Sequence, residues 1–455
     1  MTKEKIHQIE EKHPDFEERA EHWKITSLLM GGTLAMRKNH NDTLPQYQRE
    51  PDENYNARVS GSVLYNATRE KVIKFSKKPF AEKVKFSADL PPEFDFIYNN
   101  IDGNGCTLDK YLEQNIKRRL VFGHAINMVK GPNLFDDNGV KVSEAEVKNK
   151  QLYPFVATIH SNSLISWSYD SQGMEMAKIQ YEVMEYDGEN IKKNLKIDKW
   201  TRNDKVTWTK TSEHKDGWTA AAPIENEIKE IPIVISGDLY GRPEVEDMAH
   251  LNLTHFRKSS ALDSYENLAC VPFLFFKGFD PETTEVKVSV NQAYFNKNQN
   301  SNIEWIELEG GEGLKQASTS LDKLEAKLQA SGADIVTEKS ASQKETTATE
   351  NVIHDDDKMS PLQSIVVDEV NAFVKILRFM SMWMDVKVPD VALIIFKNFN
   401  ITKRANTKIE QLLKARASGE ISRETFLKGL EEVKFFSDDF EIEEEIQRLE
   451  DSSEI

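Results

Sequence analysis

Apolar residues recur every three or four positions in several parts of the 455-residue chain, a spacing that is typical of amphipathic helices. The first such stretch covers residues 15–38, where two glycines at 31–32 interrupt the pattern. Further stretches cover residues 63–80 and residues 109–127, and the latter leads into an apolar, strand-like run. The N-terminal part of the chain is therefore predicted to be mainly helical.

Residues 152–236 show a different pattern. They contain short runs that are rich in β-branched and aromatic residues, and Gly, Asn, Asp and Lys separate these runs. This composition predicts a β-rich region. We expect the preceding helices to pack on it, which gives an α+β body.

Three long helices are predicted after the β-rich region. The first covers residues 243–269, with Pro243 in its first turn. The second covers residues 314–336, where an apolar residue at every seventh position gives one narrow apolar stripe. The third begins with a capping box formed by Ser360 and Gln363 and presents a broad apolar face.

The segments around these helices differ in character. Residues 278–312 contain Gly, Pro, Asn and strand-like runs, which predicts a small β insertion, and the GGEG sequence at 310–313 is interpreted as the turn that closes it. Residues 338–350 contain no large apolar side chain. A strand is expected at residues 391–399, and short charged helices are expected in residues 401–455.

The composition narrows the classes of function. The formal net charge is −17, and 30% of residues are charged, so the surface is acidic and strongly solvated. This charge argues against a conventional high-affinity nucleic-acid binder, but not against a small basic ring or loop on an acidic body. There is no apolar signal-peptide core and no uncharged run suited to a bilayer, which indicates a soluble cytoplasmic product. Cys106 and Cys270 give neither a disulfide framework nor a CxxC pair.

The motifs of common catalytic and cofactor sites are missing from the sequence. It contains no phosphate-binding glycine loop, no HExxH pair and no GxSxG elbow, so we predict no catalytic residue, no metal site and no cofactor. His124 is interpreted as a packed residue rather than a base. The acidic run at 354–357 is interpreted as a complement to a helix dipole, with a divalent-cation site as the alternative.

Five segments, taken in their order along the chain, resemble a known family. They are FGHAINMVKGP (122–132), LYPFVATIHSNSLISWSYD (152–170), the run from MAHLNL to FFKGFD (248–280), TATENVIHDDDKMSPLQSI (347–365) and the charged tail that begins SGEISRETF (418–450). Together they resemble the portal proteins of tailed bacteriophages, in the branch with a compact clip.

The resemblance implies a portal-like α+β fold with eight parts. These are an N-terminal helical region (1–57), an α+β wing (58–238), a first stem helix (239–270), a small β-rich clip (271–312), a second stem helix (313–336), a tunnel loop (337–350), a long helix and strand that link wing and crown (351–400), and a C-terminal helical crown (401–455).

The resemblance also implies a function. Portal proteins form a homo-oligomeric ring of twelve subunits at one vertex of the capsid, and the ring conducts double-stranded DNA during packaging and ejection. The implied partners are the terminase large subunit, the head–tail adaptor, and the major capsid and scaffold proteins, with no membrane. The implied location is the virion, after assembly in the host cytoplasm. The implied DNA-channel residues are Lys339, Ser340, Ser342, Gln343, Lys344, Thr346 and Thr347.

The net negative charge of the chain agrees with this function. Each Lys or Arg contact to phosphate adds salt-dependent affinity, so an acidic wall keeps a DNA channel from holding its cargo. A ring would repeat Lys339 and Lys344 by symmetry as a basic belt. Without the resemblance, these two lysines would be interpreted as residues of a solvated surface loop. Two other functions stay open: a non-catalytic adaptor or scaffold that docks partner helices, and a metal-dependent nucleic-acid hydrolase that uses residues 354–357.

Overall fold

Helices and strands follow one another in the predicted order. The structure is a computed structural model that describes residues 9–81, 83–132, 152–187, 190–210, 217–269, 273–278, 300–306, 311–331, 360–388, 393–394, 412–416 and 418–432. Within these ranges the fold is α+β, as the sequence predicts. No helix in them is both long enough and apolar enough to cross a membrane.

The elements are numbered in chain order. The helices are α1 (Phe16–Lys38), α2 (His40–Thr43), α3 (Asp52–Gly61), α4 (Ala67–Lys77), α5 (Phe96–Asn100), α6 (Leu108–Phe122), α7 (Glu246–Ala269), α8 (Gly311–Ala330), α9 (Pro361–Met384) and α10 (Arg423–Glu432). The strands are β1 (Lys85–Phe86), β2 (His124–Lys130), β3 (Phe155–Ile159), β4 (Leu164–Asp170), β5 (Gly173–Asp187), β6 (Asn190–Thr201), β7 (Asp204–Lys210), β8 (Trp218–Ala220), β9 (Ile224–Glu225), β10 (Ile233–Gly237), β11 (Phe273–Lys277), β12 (Asn302–Ile306) and β13 (Leu393–Ile394).

The β-rich region forms two antiparallel sheets. The first has the strand order β10-β2-β3, and Ile126 of β2 lies opposite Ile235 on one side and Ile159 on the other. The second has the order β4-β5-β6-β7-β8, with β9 also paired to β7. Strand β2 is buried along nearly its whole length, because α6 and α9 both pack on this sheet. The expectation that the helices pack on the β-rich region is therefore confirmed.

The junction of α6 and β2 is a tight turn at Gly123. This residue has φ +78, in the left-handed region that favours glycine, and it ends the helix as a C-cap. A Cβ at this position would lie 2.5 Å from the carbonyl oxygen of Gly241. The glycine thus lets β2 begin one residue after the helix and pass close to the segment that leads to α7.

Helices α1 and α9 agree with their sequence patterns. In α1 the backbone is non-helical at Gly32 (φ 74, ψ −164), which confirms the predicted interruption. In α9 the Ser360 hydroxyl accepts a hydrogen bond from the Gln363 N–H, and the Gln363 side chain accepts one from the Ser360 N–H, so the predicted capping box is confirmed. The apolar face of α9 is buried, and it contributes Phe373 and its neighbours to the largest core cluster.

Two predicted helix starts are wrong. Pro243 is not in the first turn of α7, because the helix begins at Glu246 and the carbonyl of Pro243 accepts the Glu246 N–H in the turn that precedes it. The second helix begins earlier than predicted, because Gly311 and Gly313 of the GGEG sequence belong to the first turn of α8. Gly310 lies outside the described residues.

The C-terminal part of the chain is described only in pieces. Strand β13 confirms the centre of the strand expected at 391–399, and it pairs with β1. The Ser422 hydroxyl accepts the Thr425 N–H (3.1 Å) at the start of α10, which confirms the predicted cap. Residues 433–455 lie outside the described residues.

Candidate functional site

Helices α7 and α8 form an antiparallel pair that strands β11 and β12 connect. We call these four elements the stalk. Two side-chain contacts fix the direction of the helices: His255 Nε2 lies 3.0 Å from Glu325 Oε1, and Lys258 Nζ donates to Ser320 Oγ at 2.9 Å. The position on α8 decreases as the position on α7 increases, so the helices run in opposite directions. Strands β11 and β12 pair antiparallel beyond them.

Burial decreases along the stalk from one end to the other. At the base, Met248 and Phe256 of α7 and Leu328 of α8 are buried in the core. Beyond the base, Tyr265 is 40% exposed and Phe275 of β11 is 47% exposed. Two helices that share one narrow apolar seam gain little burial from each other alone. The outer end of the stalk is therefore more exposed than its base.

The base of the stalk also fixes both ends of the segment 332–359. On the α8 side, Lys71 Nζ donates hydrogen bonds to the last carbonyls of the helix, at 2.7 Å for that of Ser331. On the α9 side, Ser360 is buried and forms the capping box. Leu328 and Leu362 belong to the same core cluster. The last turn of α8 and the first turn of α9 therefore pack in one core.

Several predicted site residues lie outside the described residues. These are the channel-loop residues Lys339, Ser340, Ser342, Gln343, Lys344, Thr346 and Thr347, together with the acidic run at 354–357 and Cys270. The described residues nearest to the predicted loop are therefore Ser331 and Ser360, which flank the segment 332–359.

His124 is a packed residue, as the sequence indicates. Its side chain is buried, and its ring meets that of Trp23 edge-on with centroids 5.1 Å apart. Burial, with smaller contributions from the positive charges of Arg19 and Arg119, lowers the pKa of His124 to about 3. The imidazole is accordingly neutral at physiological pH. Within the described ranges, no group of three or more His, Cys, Asp or Glu side chains could hold a metal ion.

A buried polar contact between α6 and α9 is the residue-level feature that the sequence reading missed. Asn115 Nδ2 donates to Glu369 Oε1 at 2.8 Å, and both side chains are fully buried. Burial raises the pKa of Glu369, while hydrogen bonds to its carboxylate and the nearby arginines oppose this effect. The signal was present in the spacing, because Glu369 lies three residues after Val366 and four before Phe373, on the apolar face of α9.

Part of this arrangement matches a known family model. A model described as a domain of unknown function (DUF4055) matches residues 244–384. These bounds nearly coincide with the start of α7 and the end of α9, so the match covers the stalk, the segment 332–359 and α9 as one unit. A search of curated proteins gave no match.

Solved structures of gene transfer agent particles match most of the chain at low similarity. The virion of a native gene transfer agent particle matches with 11% identity and a TM-score of 0.39, over 84% of this chain and 93% of that chain. The neck of the empty particle, computed with C6 symmetry, matches with 10% identity and a TM-score of 0.39, over 85% and 95%. The neck of the native particle, computed with C12 symmetry, matches with 11% identity and a TM-score of 0.36, over 84% and 93%.

Proposed function

We propose that this chain is a portal-type subunit of a tailed-phage-like particle. Twelve copies form a ring at one capsid vertex, and the ring conducts double-stranded DNA during packaging and ejection without catalytic activity of its own. The observation that carries the proposal is the stalk together with the segment 332–359, whose two ends are fixed at the stalk's base. The residues that flank this segment, Ser331 and Ser360, lie beside the helical pair on a common α+β body, which supports the proposal.

The exposure of the outer end of the stalk favours assembly into a ring. Its helices bury their apolar residues at the base, and their outer halves are exposed. Copies arranged side by side around an axis would cover these outer halves and would bring every copy of the segment 332–359 to the same height. Closed rotational symmetry is the common solution for soluble homo-oligomers.

The acidic charge of the chain suits a channel through which DNA must pass without being retained. The chain is strongly acidic, so the ring has no general attraction for phosphate. Residues 337–350 carry Lys339 and Lys344 beside three glutamates, a balance that permits weak and exchangeable contacts. A loop that touches DNA only in this way needs no apolar anchor, which agrees with its composition.

The same assignment proposes where the partners bind. The terminase large subunit would dock on the outer end of the stalk, at β11 and β12, during packaging, and the head–tail adaptor would replace it there afterwards. The exposed Phe275 of β11 offers a site for such contacts. The major capsid and scaffold proteins would contact the body.

The mass of the assembled protein tests the proposal. Light scattering of the purified chain should give about 600 kDa, since each of twelve subunits contributes 52.2 kDa. A chain that stays monomeric or dimeric over a wide concentration range contradicts the ring. It would favour an adaptor that needs a partner to cover the stalk.

The two loop lysines test the DNA contact separately from the ring. Lys339→Ala combined with Lys344→Ala should leave assembly intact, and it should change the length of packaged DNA or its retention, because it removes the loop's positive charges. Glu338→Gln combined with Glu345→Gln is the matched control for altered loop charge. Particle yield and packaged length equal to those of the wild type would show that the lysines do not contact DNA.

A further inference from the structure

Helix α4 and the turn that follows it carry a concentration of positive charge. The charged residues from 69 to 78 are Arg69, Glu70, Lys71, Lys74, Lys77 and Lys78, and we call these six residues the basic face. Five positive charges and one negative charge give it a formal charge of +4, in a chain whose net charge is −17. Lys74 and Lys77 are exposed, and they lie on the side of the helix opposite the buried Val72.

Neighbouring lysines of the basic face act on one another. Burial lowers the pKa of Lys71, and the charge of Lys74 adds to this effect more strongly than that of Glu70 opposes it. Burial and the charge of Lys74 also lower the pKa of Lys78. Lys74, Lys77 and Lys78 form no ion pair within the described part of the chain. A bound anion would relieve the repulsion between these side chains.

Helix α6 extends the positive surface. Burial lowers the pKa of Lys117, and Arg69 is the next largest cause, so the two cations lie near each other. The acids in this part of α6 have other partners. Glu113 pairs with Lys110 at 3.1 Å, and the Asp109 carboxylate accepts a backbone N–H at 3.2 Å. The surface around Arg69 therefore stays positive.

Hydrogen bonds hold the basic face at the base of the stalk. On α7, Asn252 Oδ1 accepts hydrogen bonds from the N–H and the hydroxyl of Thr68, both at 3.0 Å. On α8, the Ser331 carbonyl accepts a hydrogen bond from Lys71 Nζ at 2.7 Å. Ser331 is the last described residue before the segment 332–359, whose sequence contains the predicted channel loop. The basic face therefore lies beside the residue after which this segment begins.

The composition of the basic face favours a polyanion over a protein as its ligand. Protein–protein interfaces are enriched in aromatic residues and depleted in lysine. The basic face shows the reverse, because four of its six residues are lysines and the aromatic residue of α4, Phe75, is buried. Duplex DNA carries one negative charge about every 1.7 Å along its axis, and lysine binds phosphate as a point charge. Such contacts are independent of base sequence.

We propose that the basic face contacts the phosphate backbone of the double-stranded DNA that the ring conducts. The inference rests on the proposed function and deepens it, because it assigns a DNA contact to described residues beside the start of the loop segment. Lys74 and Lys77 make this contact, since both are exposed, and Lys71 positions the face on the end of α8. A few lysines on each subunit give an acidic ring a local, salt-dependent hold on DNA.

Duplex binding by the assembled protein tests the site. Lys74→Gln with Lys77→Gln removes the two exposed amines and leaves Lys71 in place. At about 0.1 M salt this variant should bind a short duplex of random sequence at least about tenfold more weakly than the wild type, and the slope of log K against log salt should fall by about 2. Lys74→Arg with Lys77→Arg keeps the charge, so its affinity should stay within about threefold of the wild type.

Controls separate this inference from the proposed function. Lys130→Gln with Lys375→Gln removes two exposed lysines from β2 and α9 and should leave duplex binding as in the wild type. Poly-glutamate represents an acidic protein partner, and at equal charge it should displace the duplex at least about tenfold less well, because its charges are less dense.

The outcomes of these experiments are distinct. A wild type that forms no ring contradicts the proposed function, and light scattering shows this before any duplex is added. An assembled wild type that does not bind the duplex overturns the DNA contact alone. The same conclusion follows if the Lys74–Lys77 glutamine variant loses no more affinity than the control, or if poly-glutamate competes as well as the duplex does.

Discussion

At the scale of single residues, the body of the protein depends on a few positions where chemistry and packing conflict. Glu369 is an acid in the largest core, where Asn115 donates the hydrogen bond that makes its burial tolerable. Gly123 has a backbone conformation that a side chain would strain, in a space that a Cβ would fill. Both residues lie where helices meet the β10-β2-β3 sheet: Glu369 on α9, and Gly123 between α6 and β2.

Glu369→Gln should stabilise the protein at high pH. Burial raises the pKa of Glu369 above its ordinary value of 4.5, so the wild type loses stability as pH rises from about 4.5 through the raised pKa. Glutamine keeps an oxygen that accepts from Asn115 and has no such titration. At pH 8 the free energy of unfolding of the variant should exceed that of the wild type by about 1.4 kcal/mol for each unit of pKa elevation, and near pH 4 the two should be equal. Thermal unfolding at the two pH values measures the difference. A less stable variant at pH 8 would show that the charged form is favoured in the core.

Gly123→Ala should destabilise the protein more than Gly105→Ala. Both glycines have φ in the left-handed region, +78 and +85, but only Gly123 has an atom within contact distance of an added Cβ. Gly105→Ala should cost about 1 kcal/mol for the backbone strain alone, and Gly123→Ala about 3 kcal/mol or more. Equal shifts in thermal unfolding would indicate that the Gly241 segment moves away without cost.

At the scale of elements, the helices were predictable where the signal is local. The capping box of Ser360 and Gln363 and the break at Gly32 follow from residues that lie within a few positions of each other. The starts of α7 and α8 were not predictable in this way, because the turn before Glu246 and the docking of α8 on α7 decide them. The burial of Glu369 depends on Asn115, which lies 254 positions away in the sequence.

Ser360→Ala should loosen the start of α9. The substitution removes the acceptor of the Gln363 N–H at a buried position, so a loss of about 1 kcal/mol is expected. Ser364→Ala is the control, because Ser364 is exposed in the same helix and its loss should stay within about 0.5 kcal/mol. Hydrogen exchange of the first turn of α9 would locate the effect. Equal exchange in the two variants would contradict the role of the cap.

At the scale of the whole molecule, the proposed function rests on the order of the elements and not on a single site. The α+β class and the succession of stalk helices were predictable from periodicity, because burial of one face dictates that spacing. The contacts of the stalk with the rest of the chain were not, since they depend on how α3 packs beside α7. The predicted channel loop remains a prediction, because Lys339 to Thr347 lie outside the described residues.

The most direct test of the central claim is an end-on image of the purified protein. Two-dimensional class averages from electron microscopy should show a closed ring with a central channel, wide enough for a DNA duplex and surrounded by the repeated stalks. Twelve-fold averages would support the subunit number. Particles without a channel, or a population of single chains at all concentrations, would contradict the account.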